Sequence, residues 1–227
     1  MVTNNFSLLS IVSLLTLFAF STSEVKAQSY LPVGPQTNVS VFTVTNGGWV
    51  ECYRDFYVDN LDPSVVLSDC PGDRLMLSCR ETGSSTLQLL AQGLREDVTF
   101  DTGEDSDTTH IANGVGWYFH EGDAGGNSES WGFAVAGDPV NKANCDTLLA
   151  PNGDERLCWH TIEDQVVGGW RCGLNTFLDN STGYERIVYM TVPPRNVPTL
   201  SEWGLIAMAG VLGIIGLLAI RRRKVTA

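Results

Sequence analysis

Sixteen consecutive residues, Leu205 to Ile220, carry no charge and run directly into Arg221, Arg222, Arg223 and Lys224. A segment this apolar is stable in hydrocarbon only as a helix, because every backbone donor and acceptor must be satisfied within it. The basic cluster resists crossing a membrane and stays on the cytoplasmic side, so the rest of the chain is expected outside. At 1.5 Å per residue the run spans roughly 24 Å against about 30 Å of hydrocarbon, a short anchor that needs arginine snorkelling or local thinning. Gly210, Gly213 and Gly216 fall along one helical stripe that admits another helix closely.

Immediately before the apolar run stand Val197, Pro198, Thr199, Leu200, Trp203 and Gly204. Together with the short helix and the arginine stop, these residues resemble the IPTL-CTERM tail, a C-terminal sorting signal of Gram-negative bacteria. Valine stands where the family has its first isoleucine, which keeps a β-branched apolar side chain. The resemblance covers only the tail. It implies recognition by an exosortase-type membrane protease and delivery of the rest of the chain to the cell surface or extracellular matrix. An ordinary single-pass anchor, with Trp203 as an interfacial aromatic, is the plainer reading of the same residues.

A second apolar stretch, Phe6 to Phe20, is followed by polar residues from Ser21 to Lys26 and by small residues at Val25 and Ala27, ahead of Gln28. This pattern reads as a secretory signal peptide over residues 1–27, although no Lys or Arg precedes the apolar run. No cysteine marks a lipoprotein cleavage site. The expected order is then an extended leader over 28–39, an exported domain over 40–191, a proline-rich spacer over 192–197, and the sorting segment over 198–227.

Cys52, Cys70, Cys79, Cys145, Cys158 and Cys172 all lie between the two apolar ends. Export places them in an oxidising compartment, so three disulfides are expected, with pairings that the spacing does not choose. No Cys-x-x-Cys pair occurs and the histidines are not at zinc-ligand spacing, which argues against a structural zinc. Between Gln28 and Asn196 there are 9 Lys and Arg against 24 Asp and Glu, a net charge of −15. A domain so acidic repels nucleic acid and anionic head groups.

From Ser40 to Tyr189, short apolar or β-branched runs alternate with Gly, Asn, Asp and Pro, and no long helical periodicity appears. The fold expected is all-β, a disulfide-stabilised two-layer sandwich flanked by the signal helix and the transmembrane helix. Strands are expected at Val41–Val44, Gly48–Val58, Val65–Leu67, Arg74–Arg80, Leu87–Leu94, Asp97–Phe100, Gly116–His120, Trp131–Val135, Leu157–Thr161, Gly169–Cys172 and Glu185–Thr191. Leu87–Leu94 also fits a helical turn.

Glycine adjoins tryptophan at Gly48-Trp49, Gly116-Trp117, Trp131-Gly132 and Gly169-Trp170. A bulky ring can lie over bare glycine backbone, which suits core packing. The functional counterpart is a sugar-stacking face, for which Trp117, Tyr118 and Trp131 are the candidates, with polysaccharide as the partner.

Phe100-Asp101-Thr102-Gly103 resembles the catalytic turn of aspartic proteases, but that chemistry needs two carboxylates sharing a proton and the chain has no second copy. The run from Asp101 to Asp107 offers hard oxygen ligands for calcium without EF-hand spacing; a charged surface turn is the simpler expectation. His110, His120 and His160 are scattered, and no nucleophile elbow, phosphate loop or dinucleotide fingerprint occurs. The sequons at Asn38 and Asn180 read as loop residues. No catalytic set emerges, and the expectation is a non-catalytic surface or matrix protein, structural or adhesive, whose partners are the secretion machinery and the sorting protease. The enzymatic alternative is a surface hydrolase that pairs Asp101 or Glu121 with a second carboxylate across a cleft.

Overall fold

The computed structural model describes residues 29–59, 61–121, 130–161, 169–191 and 200–224. The expected signal segment over 1–27 and the expected proline-rich spacer over 192–197 lie outside these. Among the described residues eleven strands form two antiparallel sheets. The first has the order β1-β4-β3-β11-β2, built from β1 (Gln36–Ser40), β2 (Trp49–Phe56), β3 (Arg74–Glu81), β4 (Thr86–Leu94) and β11 (Tyr184–Thr191). The second has the order β10-β9-β8-β7-β6-β5, built from β5 (His110–Ala112), β6 (Val115–Phe119), β7 (Ser130–Val135), β8 (Leu157–His160), β9 (Gly169–Cys172) and β10 (Asn175–Thr176).

One buried cluster draws Leu75, Leu77, Leu89, Ala91 and Val188 from the first sheet and Trp117, Phe119, Trp131, Phe133 and Trp159 from the second. The sheets therefore share a core as the two layers of a sandwich, and the all-β fold expected from the sequence is found as a mostly-β one with a few helices. All six cysteines are bridged, as Cys52–Cys70, Cys79–Cys172 and Cys145–Cys158. The first sheet's outer face is closed by helix α1 (Val41–Asn46) and the segment at Tyr30, over Val44, Trp49, Met76, Leu90 and Ile187. The second sheet's outer face carries Tyr118, Ala134 and Cys158 beneath Val140 and Cys145 of the connection between β7 and β8.

Three expected strands are helical. Val41–Val44 lies in α1, where the Ser40 hydroxyl caps the Thr43 amide at 3.0 Å. Val65–Leu67 lies in α2 (Pro63–Asp69), where Asp62 accepts from Ser64 and Val65 and Pro63 sits in the first turn. Asp97–Phe100 overlaps the single turn α3 (Arg95–Val98). In the first two end-capping, and in all three the burial of a valine (Val44, Val66 and Val98), outweigh the β-propensity of a short run. The N-terminal leader is not free of the domain either, since Gln36–Ser40 pairs with β4.

The β7–β8 connection is held by arginines. Arg156 donates to the carbonyls of Pro151 and Pro139 and to the carboxylates of Asp146 and Asp138, while Arg171 donates to the carbonyls of Asp146, Leu149, Gly153 and Gly173. Arg156 and Asp146 are fully buried. Burial pushes the Asp146 carboxyl up, while the Asn141 amide and Arg156 pull it down. An irregular segment of this kind has no ladder for its carbonyls, and the guanidinium groups supply the donors.

Helix α4 (Leu200–Lys224) holds the expected uncharged run. Its described side chains, Gly204 to Gly216, are all exposed, including Leu205, Ile206, Met208, Leu212 and Ile214 at about 60% each. Among the described residues no helix is long and apolar enough to cross a membrane.

Candidate functional site

The expected sugar-stacking face is not a surface. Trp117, Tyr118 and Trp131 each have zero exposure. Trp117 and Trp131 alternate inward on β6 and β7, where Trp131 meets Phe119 and Trp159 edge-on at centroid distances of 5.3 and 5.9 Å. Tyr118 faces the opposite way and is covered by the β7–β8 connection, its hydroxyl donating to the Leu157 carbonyl at 3.1 Å. The covering of both sheet faces removes these rings from any ligand. Glycine beside tryptophan does serve close packing: a Cβ at Gly132 would stand 2.7 Å from the Tyr118 hydroxyl and 2.2 Å from the Leu157 carbonyl oxygen.

Asp101 faces His120, with Oδ1 2.9 Å from Nδ1, and accepts from the Gly103 amide at 2.8 Å. These bonds, the Gly103 amide first, hold its carboxyl below the ordinary value. The Asp-Thr-Gly turn is thus a surface turn tied to a histidine. Within it, the buried Lys142 ammonium donates to the Gly103 carbonyl at 2.6 Å and to the Thr102 hydroxyl at 3.1 Å. A cation of the chain itself therefore sits on the Thr102 and Gly103 carbonyls, at the start of the 101–107 run that the sequence offers to calcium. Among the described residues no group of three or more His, Cys, Asp or Glu could hold a metal. His110 pairs with Asp97 at 2.8 Å and stacks on Phe100. Glu121 is exposed at the end of the described segment.

A groove of about 580 Å³ lies where the β1–β4 edge of the first sheet meets the β9–β10 hairpin of the second. Asn38, Glu81, Gln88, Asp154, Leu174 and Asn175 line it. The sequence singles out only Asn38, as a sequon residue expected in a loop. Asn38 instead sits within β1 with φ 55°. No local pattern marks this groove, because its walls come from four separate stretches of chain.

At the C-terminus, Leu200 opens α4, Trp203 and Gly204 follow in its first turn, and Arg221 to Lys224 fill its last. Val197, Pro198 and Thr199 lie outside the described residues. The residues from 197 to 223 match the IPTL-CTERM motif. This chain carries an IPTL-CTERM tail. No curated protein and no solved structure matches the chain.

The IPTL-CTERM tail is a sorting signal, and it marks the chain as secreted or sorted to the surface from its C-terminal end. The three disulfides agree with that destination, since such bonds persist in oxidising compartments.

Proposed function

We propose that the chain is a non-catalytic protein of the cell surface or extracellular matrix of a Gram-negative bacterium, exported by the secretion machinery as a single-pass precursor. A signal peptide over residues 1–27 starts its export, and an exosortase-type membrane protease processes the IPTL-CTERM tail. The observation that carries this reading is the order of the tail: motif at 197–223, uncharged helix, basic stop.

The described side chains of α4 from Gly204 to Gly216 are uncharged and exposed on every face, and an uncharged helix stretch of that kind is stabilised by being covered. A short hydrocarbon run suits a temporary handle better than a lasting anchor. On this reading α4 sits in the inner membrane until cleavage, and the acidic β domain works outside as a structural or adhesive module. Recovering the protein from envelope and medium fractions and mapping its C-terminal peptide tests this. Truncated protein lacking the Leu205–Ile220 segment is expected in cells that possess the protease. Finding only protein that ends at Ala227 would overturn it.

A further inference from the structure

We infer that the groove between the β1–β4 edge and the β9–β10 hairpin binds a neutral oligosaccharide. The inference deepens the adhesive role proposed above and rests on that reading. Its geometry begins at the Asn38–Gln88 pair. The β1–β4 ladder keeps one register, with Thr37 opposite Leu89 and Val39 opposite Leu87, yet the intervening Asn38–Gln88 pairing is missing. Asn38 occupies the left-handed region at that step, with φ 55°. Such a backbone state is uncommon for a residue other than glycine, and it persists only where the surroundings hold it.

Gln88 in turn spans the two sheets. Its Nε2 donates to the Cys172 carbonyl at 2.9 Å, and Gly173, with φ 60°, leaves room for it where a Cβ would stand 3.0 Å away. Among the described residues, the Gln88 Oε1 and the side-chain amides of Asn38 and Asn175 have no protein hydrogen-bond partner. Three primary amides with free donors or acceptors therefore line one groove, beside Thr and Ser hydroxyls. Amides present an acceptor and two donors each, a set that matches the alternating donor and acceptor character of sugar hydroxyls.

The lining also decides against other ligands. Among the described residues it contains Glu81 and Asp154 and no Lys or Arg, so anionic polymers are repelled. Its only large apolar side chain among the described residues is Leu174, 73% exposed, which is too little for a lipid or an amphipathic helix. Strand addition at β1 is opposed by the interrupted ladder at Asn38, which leaves the edge a poor template. The volume lies within the range of about 300–1,000 Å³ usual for small-molecule sites.

The test is isothermal titration of the full chain, held in a zwitterionic detergent without a sugar head group, with cellohexaose, maltohexaose and chitohexaose, and with an oligogalacturonate as the anionic probe. At least one neutral hexasaccharide is expected to bind, and the oligogalacturonate is not. Asn38→Gly keeps the left-handed backbone and removes the amide, and Asn175→Ala removes another. Each is expected to weaken binding about tenfold while unfolding temperature and disulfide content stay unchanged. Failure of all three neutral sugars, equal binding of the oligogalacturonate, or unchanged affinity in both variants would overturn the proposal. Because the titration uses purified chain, its failure leaves the sorting reading intact, and an untrimmed tail in cells leaves the groove intact.

Discussion

Cys79 on β3 and Cys172 on β9, 93 residues apart in sequence, join the two sheets through the shared core with their Cα atoms 5.9 Å apart. This bridge closes the longest loop of the three and restrains the unfolded chain most. Replacing both cysteines by alanine is expected to cost about 4–5 kcal/mol, against about 3 kcal/mol for the Cys145–Cys158 pair, on the loop-entropy relation. Urea unfolding of the two double variants beside the parent chain measures the difference.

Gly132 is the tightest point of the second sheet's outer face. In Gly132→Ala the added methyl would meet the Leu157 carbonyl oxygen and the Tyr118 ring, which are themselves fixed by the Tyr118–Leu157 hydrogen bond. A loss of about 2 kcal/mol or more is expected, because neither neighbour is a flexible chain end. Tyr118→Phe combined with Gly132→Ala should recover part of the loss in the same unfolding measurement.

Lys142 is fully buried and holds the Thr102–Gly103 turn through its ammonium group. Burial pushes its pKa down, and Asp105, Asp101 and Asp107 act the other way. Lys142→Met retains the aliphatic stem and leaves the Gly103 carbonyl without its donor. Destabilisation of about 2–3 kcal/mol is expected, with increased amide exchange at residues 101–107 as the local signature.

The acid limb of the stability curve should carry a contribution from Asp101. Folding lowers its pKa below the ordinary 3.8, so its contribution is complete above that value and disappears as pH falls through the lower, folded value. Asp101→Asn keeps the shape and removes the charge. Its stability should trail the parent's by a small constant amount above about pH 5 and converge with it by about pH 2. Denaturation midpoints across that range give the comparison.

The strands that the sequence made legible are those whose apolar runs are long enough to cross the core, such as Arg74–Glu81 and Tyr184–Thr191. Gln36–Ser40 was not, because its one apolar residue is Val39 and its place in the sheet comes from pairing with β4. The signals that turn Val65–Leu67 into a helix, Asp62 followed by Pro63, stand in the sequence just ahead of a β-branched pair that reads as a strand. Trp117 and Trp131 look alike as core or ligand residues, since alternation fixes which way a ring faces and says nothing of what covers that face. The cover, from Asp138 to Arg156, is held by Arg156 and Arg171, whose charges suggest the surface until their carbonyl partners are known. Cysteine pairing and the groove at Asn38 depend on contacts between distant segments and have no local signature. The tail is the opposite case: its function is written in consecutive residues, so a linear motif suffices to find it.

Export and folding of the β domain meet in one measurement: peptide mapping, without reduction, of protein alkylated in intact cells and then recovered from the envelope and medium. The account predicts three cross-linked pairs, Cys52 with Cys70, Cys79 with Cys172, and Cys145 with Cys158, and no alkylated cysteine. Six alkylated thiols, or a different set of pairs, would contradict it.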